Sequence, residues 1–311
     1  MTFSQLEYII AIADSGSFSI AAGRCFVTQP TLSMQVKKLE DELGFSLFDR
    51  NRQPVTITKA GEEFINRARI LIRDFRSLTE YAKSEKGEIK GELRIGVIPT
   101  LAPYLIPLFA GNFIRTYPKV TLSITEFTTA EIIQRIKNNT LDCGILATPL
   151  HEPALKEIPL FDEPFVAYLS ANHPLLKKNA LTADDLNPDE TWILNEGHCF
   201  RNQVMNFCQP RRRDGKHARL LYESGSLLTL KKMVDTEKGL TVLPELATRE
   251  FSSRELKHTR YFKSPEPARE ISIVTARLPV KTKLIDVLRE AIVEIVPKRM
   301  KKGKVRVIEV M

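Results

Sequence analysis

At 311 residues the chain is longer than one hydrophobic core usually serves, so two or three domains are expected. Its 43% hydrophobic and 27% charged content is that of a soluble globular protein, and EYIIAIA, closed by Asp14, is too short to be a signal or a bilayer span; a cytoplasmic protein is expected. The net charge of +8 invites an anionic partner, but residues 1–60 carry six basic and six acidic side chains while residues 281–311 carry nine and four, so charge alone does not establish DNA binding.

Residues 1–58 are helical with short loops. FSQLEYIIAIADS stops at Gly16, SIAAGRCF forms a small-residue helix, and VTQP turns into a third helix with Pro30 in its first turn. Leu32, Val36, Leu39 and Leu43 follow at helical spacing and make one apolar face. Pro30, Thr31, Ser33, Met34, Lys37 and Lys38 point elsewhere. GFSLFDRNRQPVTIT contains two short extended pieces around Asn51–Pro54, a wing. Two helices joined by a tight turn, the second offering small polar residues, form a helix-turn-helix, a geometry that also occurs in proteins that never meet DNA.

Residues 59–88 read as a linker helix. Phe64, Ala68, Leu71, Phe75, Leu78 and Ala82 repeat at four, three, four, three and four, the narrow seam of a two-stranded coiled coil. EKGEIKG then ends the helix. From Gly91 onward, apolar runs such as LRIGVIP, VTLSITEF and LDCGILA alternate with helical segments, which predicts strands of a parallel sheet covered on both faces. A second set, FVAYLS, TWILNEG, RLLYES and LTVLPE, predicts another α/β half, with EISIVTA and the helix TKLIDVLREAIVEIV closing the fold. Two such halves make a regulatory domain over 89–300 with a cleft between them, and KRMKKGKVR (298–306) leads into a solvated basic tail, 301–311.

The stretch AAGRCFVTQPTLSMQVKKLEDELGFSLFDR closely resembles the winged helix-turn-helix of the LysR-type transcriptional regulators, with Thr28 in place of the usual serine. That resemblance implies an α/β chain: a DNA-binding domain at 1–58, a dimerising linker, and a two-subdomain regulatory domain like the periplasmic binding proteins. It implies promoter DNA and RNA polymerase as partners and a homodimer or homotetramer as the working form. Thr28, Gln29, Pro30, Thr31, Ser33 and Met34 are then expected near bases, with Lys38, Arg50 and Arg52 on phosphates.

NEGHCFRNQVMNFC at 195–208 holds two of the four cysteines. Packing, metal, disulfide and reactive thiol are the competing readings. His198, Cys199 and Cys208 lack the close ligand pairs of a zinc site, so no metal or other cofactor is expected. Cys199 opens a predicted helix, where the helix dipole and nearby Arg201 favour a thiolate. Nine residues of helical rise separate Cys199 from Cys208 by about 13 Å, so a bond between them requires the helix to unwind.

The same segment resembles the redox loop of the peroxide-sensing LysR-type regulators, through Gly197, His198, Cys199, Arg201, Gln203, Phe207 and Cys208. That likeness implies Cys199 as the peroxidatic thiol and Cys208 as the resolving one. It assigns Thr100, Thr129, His198, His217 and Arg269 to the peroxide site, with Asp142 either an acidic partner or a turn residue. Cys25 and Cys143 look packed. The expected function is a transcriptional regulator that senses hydrogen peroxide through a reversible disulfide, rather than an enzyme. A regulator answering to a small organic effector, and a thiol peroxidase joined to a DNA-binding domain, are the alternatives.

Overall fold

The computed structural model describes residues 1–84, 89–187, 190–195, 197–208, 224–302 and 305–310. The chain divides into two units, Met1–Gly87 and Glu88–Met311.

In the first unit, α1 (Phe3–Ser15) begins in a capping box between Thr2 and Gln5 and ends at Gly16 in the left-handed region. α2 (Phe18–Arg24) and α3 (Gln29–Leu43) follow, and α3 is capped by the Thr28 hydroxyl, with Pro30 in its first turn. Leu32, Val36 and Leu39 are fully buried with Leu6, Ile9 and Ile12, as the spacing of the apolar residues requires. β1 (Phe48–Asp49) and β2 (Thr56–Ile57) pair antiparallel as the wing. Glu40 holds the wing's root: its carboxylate accepts the Leu47 N–H at 2.8 Å and pairs with Arg50 at 2.6 Å. α4 (Lys59–Ser84) then crosses this unit, and a Cβ on Gly61 would come within 2.4 Å of the Leu47 carbonyl, so only glycine allows the approach.

The expected α4 seam is revised. Ile65, Ala68 and Ile72 are buried in the unit's own core, and Phe64 is half-buried against it. Leu71, Phe75 and Leu78 stay more than half exposed. A straight helix drifts against a seven-residue repeat, so one side of α4 faces its own core while the next stripe is left open. The Ala82 side chain lies outside the described residues.

The second unit starts with β3 (Gly91–Val97), α5 (Ala102–Thr116), β4 (Val120–Glu126), α6 (Thr129–Lys137) and β5 (Cys143–Thr148), whose strands are parallel in the order β4-β3-β5. β6 (Leu155–Leu169), β7 (Ala180–Leu181), β8 (Thr191–Trp192), α7 (Cys199–Cys208), α8 (Leu227–Thr236), β9 (Leu240–Pro244) and α9 (Ser253–Lys257) come next. β10 (Thr259–Phe262), β11 (Glu266–Ala276), α10 (Thr282–Ile295), α11 (Lys298–Lys302) and β12 (Val305–Val307) complete the chain.

Two expectations are corrected here. The sheet is mixed: β6 runs antiparallel to β11 through Pro164 and then antiparallel to β9 through Leu169, so one long strand serves both halves. LKEIPLFDEP, its first part, lacks a continuous apolar run and was not read as strand. The basic tail is also built in. β12 adds to β11 beside Glu266–Ala268, and Ile308 and Val310, either side of the exposed Glu309, are buried in the two cores of this unit. RLLYES lies largely outside the described residues. Among those described, no helix is long and apolar enough to cross a membrane.

The second unit has two cores. One gathers β3, β5, α5 and α10 residues with Cys199 and Val310; the other gathers Phe165, Phe200, Val204, Leu230, Val242 and Ile308. α7 therefore meets both cores.

Candidate functional site

Cys199 is the first residue of α7 and only 8% exposed. Burial pushes its thiol pKa above the ordinary range. The Arg269 charge, the Thr129 hydroxyl and the Phe200 backbone N–H pull the other way. This corrects the expectation of a polar junction with a lowered pKa, because both cores close over the helix start. It also corrects the cation: the charge that acts on the thiol is Arg269, whereas Arg201 donates to the Leu194 carbonyl at 2.9 Å.

Arg269 is fully buried on β11. Its Nε donates to Glu163 Oε2 at 2.9 Å, its Nη1 to the Thr100 hydroxyl at 2.9 Å, and its Nη2 to the Thr100 carbonyl at 3.1 Å. The guanidinium lies 5.1 Å from the Phe200 ring centroid. Glu163, also fully buried, accepts the Leu246 N–H at 3.0 Å. Sequence reading missed Glu163. It is the cross-strand partner of Arg269 in the β6–β11 register, a pairing that no local pattern reveals.

Thr129 opens α6, where the adjacent Thr128 and Glu131 form the capping box. Its Oγ1 is buried and faces the thiol closely enough to favour the thiolate, but it makes no well-aligned hydrogen bond among the described residues. Thr100, Thr129, Cys199 and Arg269 thus come together. His198 is placed differently: a Cβ on Gly225 would come 3.0 Å from its Nε2, so the ring stands against the 224–226 turn, and burial lowers its pKa. His217 lies outside the described residues, as does the Cys208 side chain, although the Cys208 backbone ends α7. Asp142 takes the structural role: it accepts from Arg94 at 2.9 Å and Lys281 at 2.8 Å at the start of β5. Cys143 is buried and its thiol pKa raised, chiefly by desolvation.

α3 presents a different surface. Thr28, Gln29, Pro30, Thr31, Met34 and Lys38 are exposed and Ser33 half-buried. The Thr28 and Thr31 hydroxyls bond each other at 2.8 Å, which leaves Gln29, Pro30 and Met34 as the freest side chains at the helix start. Arg50 pairs with Glu40, donates to Ser33 at 3.4 Å and lies 4.9 Å from the Phe18 ring centroid, so it braces the wing while its side chain stays 38% exposed. Arg52 pairs with Asp49 at 3.2 Å yet remains 72% exposed.

Comparison with known proteins matches residues 3–62 to the bacterial regulatory helix-turn-helix proteins of the lysR family and residues 86–296 to the LysR substrate binding domain. The hydrogen peroxide-inducible genes activator of Haemophilus influenzae is 35% identical over 277 residues, 88% of this chain and 90% of the relative. The DNA-binding transcriptional dual regulator OxyR of Escherichia coli is 36% identical over 274 residues, 88% and 89%. Full-length OxyR of Pseudomonas aeruginosa, solved as a cysteine-to-aspartate variant, superposes with a TM-score of 0.79 at 34% identity over 95% of this chain and 99% of that one. A Corynebacterium glutamicum OxyR variant with hydrogen peroxide bound gives 0.60 at 26% identity, over 94% and 92%. The chain belongs to the LysR family of bacterial helix-turn-helix regulators, in the group that includes the OxyR-type proteins.

Proposed function

We propose that this regulator senses hydrogen peroxide at Cys199 and transmits oxidation to the DNA through a Cys199–Cys208 disulfide. The observation that carries this reading is a cysteine only 8% exposed, its thiol faced by the Thr129 hydroxyl, which has no well-aligned hydrogen bond among the described residues, and by a buried guanidinium. Such a site admits a small polar oxidant and excludes a bulky effector. The Cys199 sulfur attacks one peroxide oxygen: an S–O bond forms, the O–O bond breaks, and the departing oxygen leaves as water after taking up a proton. Arg269 and the Thr129 hydroxyl stabilise negative charge there as it develops. Peroxide gains two electrons and Cys199 becomes a sulfenic acid. The Cys208 thiolate then attacks that sulfur, an S–S bond forms, and the S–O bond breaks with release of a second water. With both cysteines in α7, about 13 Å apart by helical rise, the second step needs α7 to unwind.

On the DNA side, Gln29, Pro30 and Met34, with Thr28, Thr31 and Ser33 behind them, enter the major groove, while Lys38 and Arg52 contact phosphates. Two chains join through the exposed Leu71, Phe75 and Leu78 stripe of α4, and oxidation changes how the resulting dimers or tetramers sit on promoter DNA and meet RNA polymerase. Leu71→Asp is expected to give monomers in sedimentation velocity; an unchanged dimer means that the stripe is not the joint.

The sensing step is tested by trapping. Cys199→Ser is expected to abolish reaction with peroxide in stopped flow. Cys208→Ser is expected to react once and to accumulate a trappable sulfenic acid at Cys199. Equal slowing in both variants with nothing trapped would overturn the reading.

A further inference from the structure

The C-terminal strand is fastened to the redox helix. Gln203 lies one turn into α7 and is fully buried; its Nε2 donates to the Ile308 carbonyl at 2.7 Å, while its Oε1 has no hydrogen-bond partner among the described residues. Ile308 is buried in the same core as Phe200 and Val204 of α7, and its N–H donates to the Ala268 carbonyl at 2.8 Å. Ala268 also pairs with Val307 and precedes Arg269, the residue whose charge acts on Cys199. Val310 enters the other core, which also holds Cys199. The last turn of chain thus spans the same two cores as α7 and is bonded to its middle.

We propose that Gln203 is a positioning residue and that it and residues 305–310 form a clasp that keeps α7 helical, setting how readily Cys208 reaches the Cys199 sulfenic acid. The proposal rests on the disulfide reading above. The geometry couples two events. Unwinding α7 moves Gln203 off the Ile308 carbonyl and withdraws Phe200 and Val204 from the core that buries Ile308. β12 then keeps only its pairing with β11, at the sheet edge. Conversely, while the clasp holds, the residues between the two cysteines cannot leave their helix without breaking a buried hydrogen bond and exposing apolar surface. The clasp therefore opposes the resolving step and leaves the first reaction at the sulfur untouched, because Gln203 has no contact with the thiol among the interactions described for it.

The full-length protein supplies the test. In the reduced wild type the Ile308 amide is expected to be protected from hydrogen exchange, and after one equivalent of peroxide the 305–310 amides are expected to lose that protection. Gln203→Leu is expected to form the disulfide about fivefold faster, the equivalent of one ordinary hydrogen bond, with the rate of sulfenic acid formation changed less than about twofold. A chain ending at Lys304, which also takes Val310 out of the core around Cys199, is expected to speed the disulfide step as well. A general loss of structure would alter both rates. Peptide mass spectrometry of the oxidised wild type separates the two levels. If no Cys199–Cys208 linkage forms, the disulfide reading fails and the clasp with it. If the linkage forms and the 305–310 protection is unchanged, or if neither variant speeds resolution, the clasp alone is overturned.

Discussion

α3 and α7 are both short helices, to which the proposed function assigns the reading of DNA and the sensing of peroxide, and they are built on opposite plans. α3 has a hydroxyl cap, a proline in its first turn and a regular stripe of fully buried Leu32, Val36 and Leu39, so its outer face is free of any duty to the fold. Gln29 and Met34 are exposed and can change without disturbing what holds the helix. α7 turns its reactive residue inward: Cys199, Phe200, Gln203 and Val204 are all buried, and a glutamine sits where α3 has an apolar residue. A surface that reads another molecule can be rigid and independent of its core. A switch has to be part of what holds the fold together, since otherwise its oxidation would change nothing else. The contrast makes a measurable claim: changes at the outer face of α3 separate function from stability, whereas changes around α7 do not.

The largest effect is expected at Arg269. Arg269→Met leaves Glu163 buried without its cation, and it also removes the donor to Thr100, so a loss of about 3–5 kcal/mol is expected in chemical denaturation. Adding Glu163→Gln removes the stranded charge while keeping an oxygen for the Leu246 N–H, and it is expected to restore much of the loss. Peroxide reactivity is expected to stay low in the double variant. If stability fell additively, the pair would not be a unit and the contrast with α3 would weaken.

Thr129 sharpens the contrast from within the site. Thr129→Val removes a buried hydroxyl that makes no well-aligned hydrogen bond among the described residues, so stability is expected to stay within about 0.5 kcal/mol of wild type or to rise. Oxidation of Cys199 is nonetheless expected to slow by at least about tenfold, on the low side of what losing one charge-stabilising donor costs. A large destabilisation with unchanged oxidation kinetics would make Thr129 a structural residue only.

The two plans also explain what could be read in advance. α3, its turn, the wing and the alternation of strands and helices after Gly91 follow from local spacing, so the sequence showed them. The pairing of Glu163 with Arg269 depends on the register of two strands 106 residues apart in the chain, which local pattern does not encode. The burial of Cys199 was misread for a related reason. Its own neighbours, Gly197, His198 and Arg201, look polar, and the apolar cover comes from distant segments that include Val310. KRMKKGKVR dominated the reading of the C-terminus by its charge, although the two apolar residues that matter there, Ile308 and Val310, lie just beyond it. α4 was half legible: the heptad spacing identified Leu71, Phe75 and Leu78, but it also claimed Ala68, which faces its own core.

On α3 and the wing the expected changes are confined to DNA binding. Gln29→Ala is expected to relax preference at one base position by about 1–3 kcal/mol of discrimination, with thermal stability unchanged. Arg52→Ala is expected to weaken binding evenly across sequences and to lower the salt slope by about one, since Arg52 is exposed and paired with Asp49 at the surface. Titrations of wild type and variants against a small set of duplexes at several salt concentrations distinguish the two. A change in sequence preference from Arg52→Ala would place the wing on bases rather than phosphates.

The smallest effect returns to the second unit, where burial perturbs the carboxyl of Glu245, beside the Leu246 whose N–H is held by Glu163. Glu245 is pushed up to about 7, mainly by burial, with Glu266 and Glu163 adding to the rise and Arg299 opposing it. The Tyr261 hydroxyl faces its Oε1 at 3.4 Å, and Arg299 Nη2 lies 3.3 Å from Oε2 without the alignment of a hydrogen bond. A carboxyl whose folded-state pKa lies above its unfolded value binds its proton more tightly when folded. Its contribution to stability is therefore fully present below about pH 4.5, the ordinary carboxyl value, and is lost as pH rises through about 7. Glu245→Gln keeps the shape and removes the titration, so the variant is expected to gain a few degrees of melting temperature relative to wild type at pH 8 and to lose that gain at pH 5. The difference between the two melting curves, followed from pH 5 to 8, isolates this one group from every other that titrates. A difference that is flat with pH would mean that Arg299 fully neutralises the buried charge, and that the surroundings of Glu245 tolerate ionisation as readily as the outer face of α3 tolerates substitution.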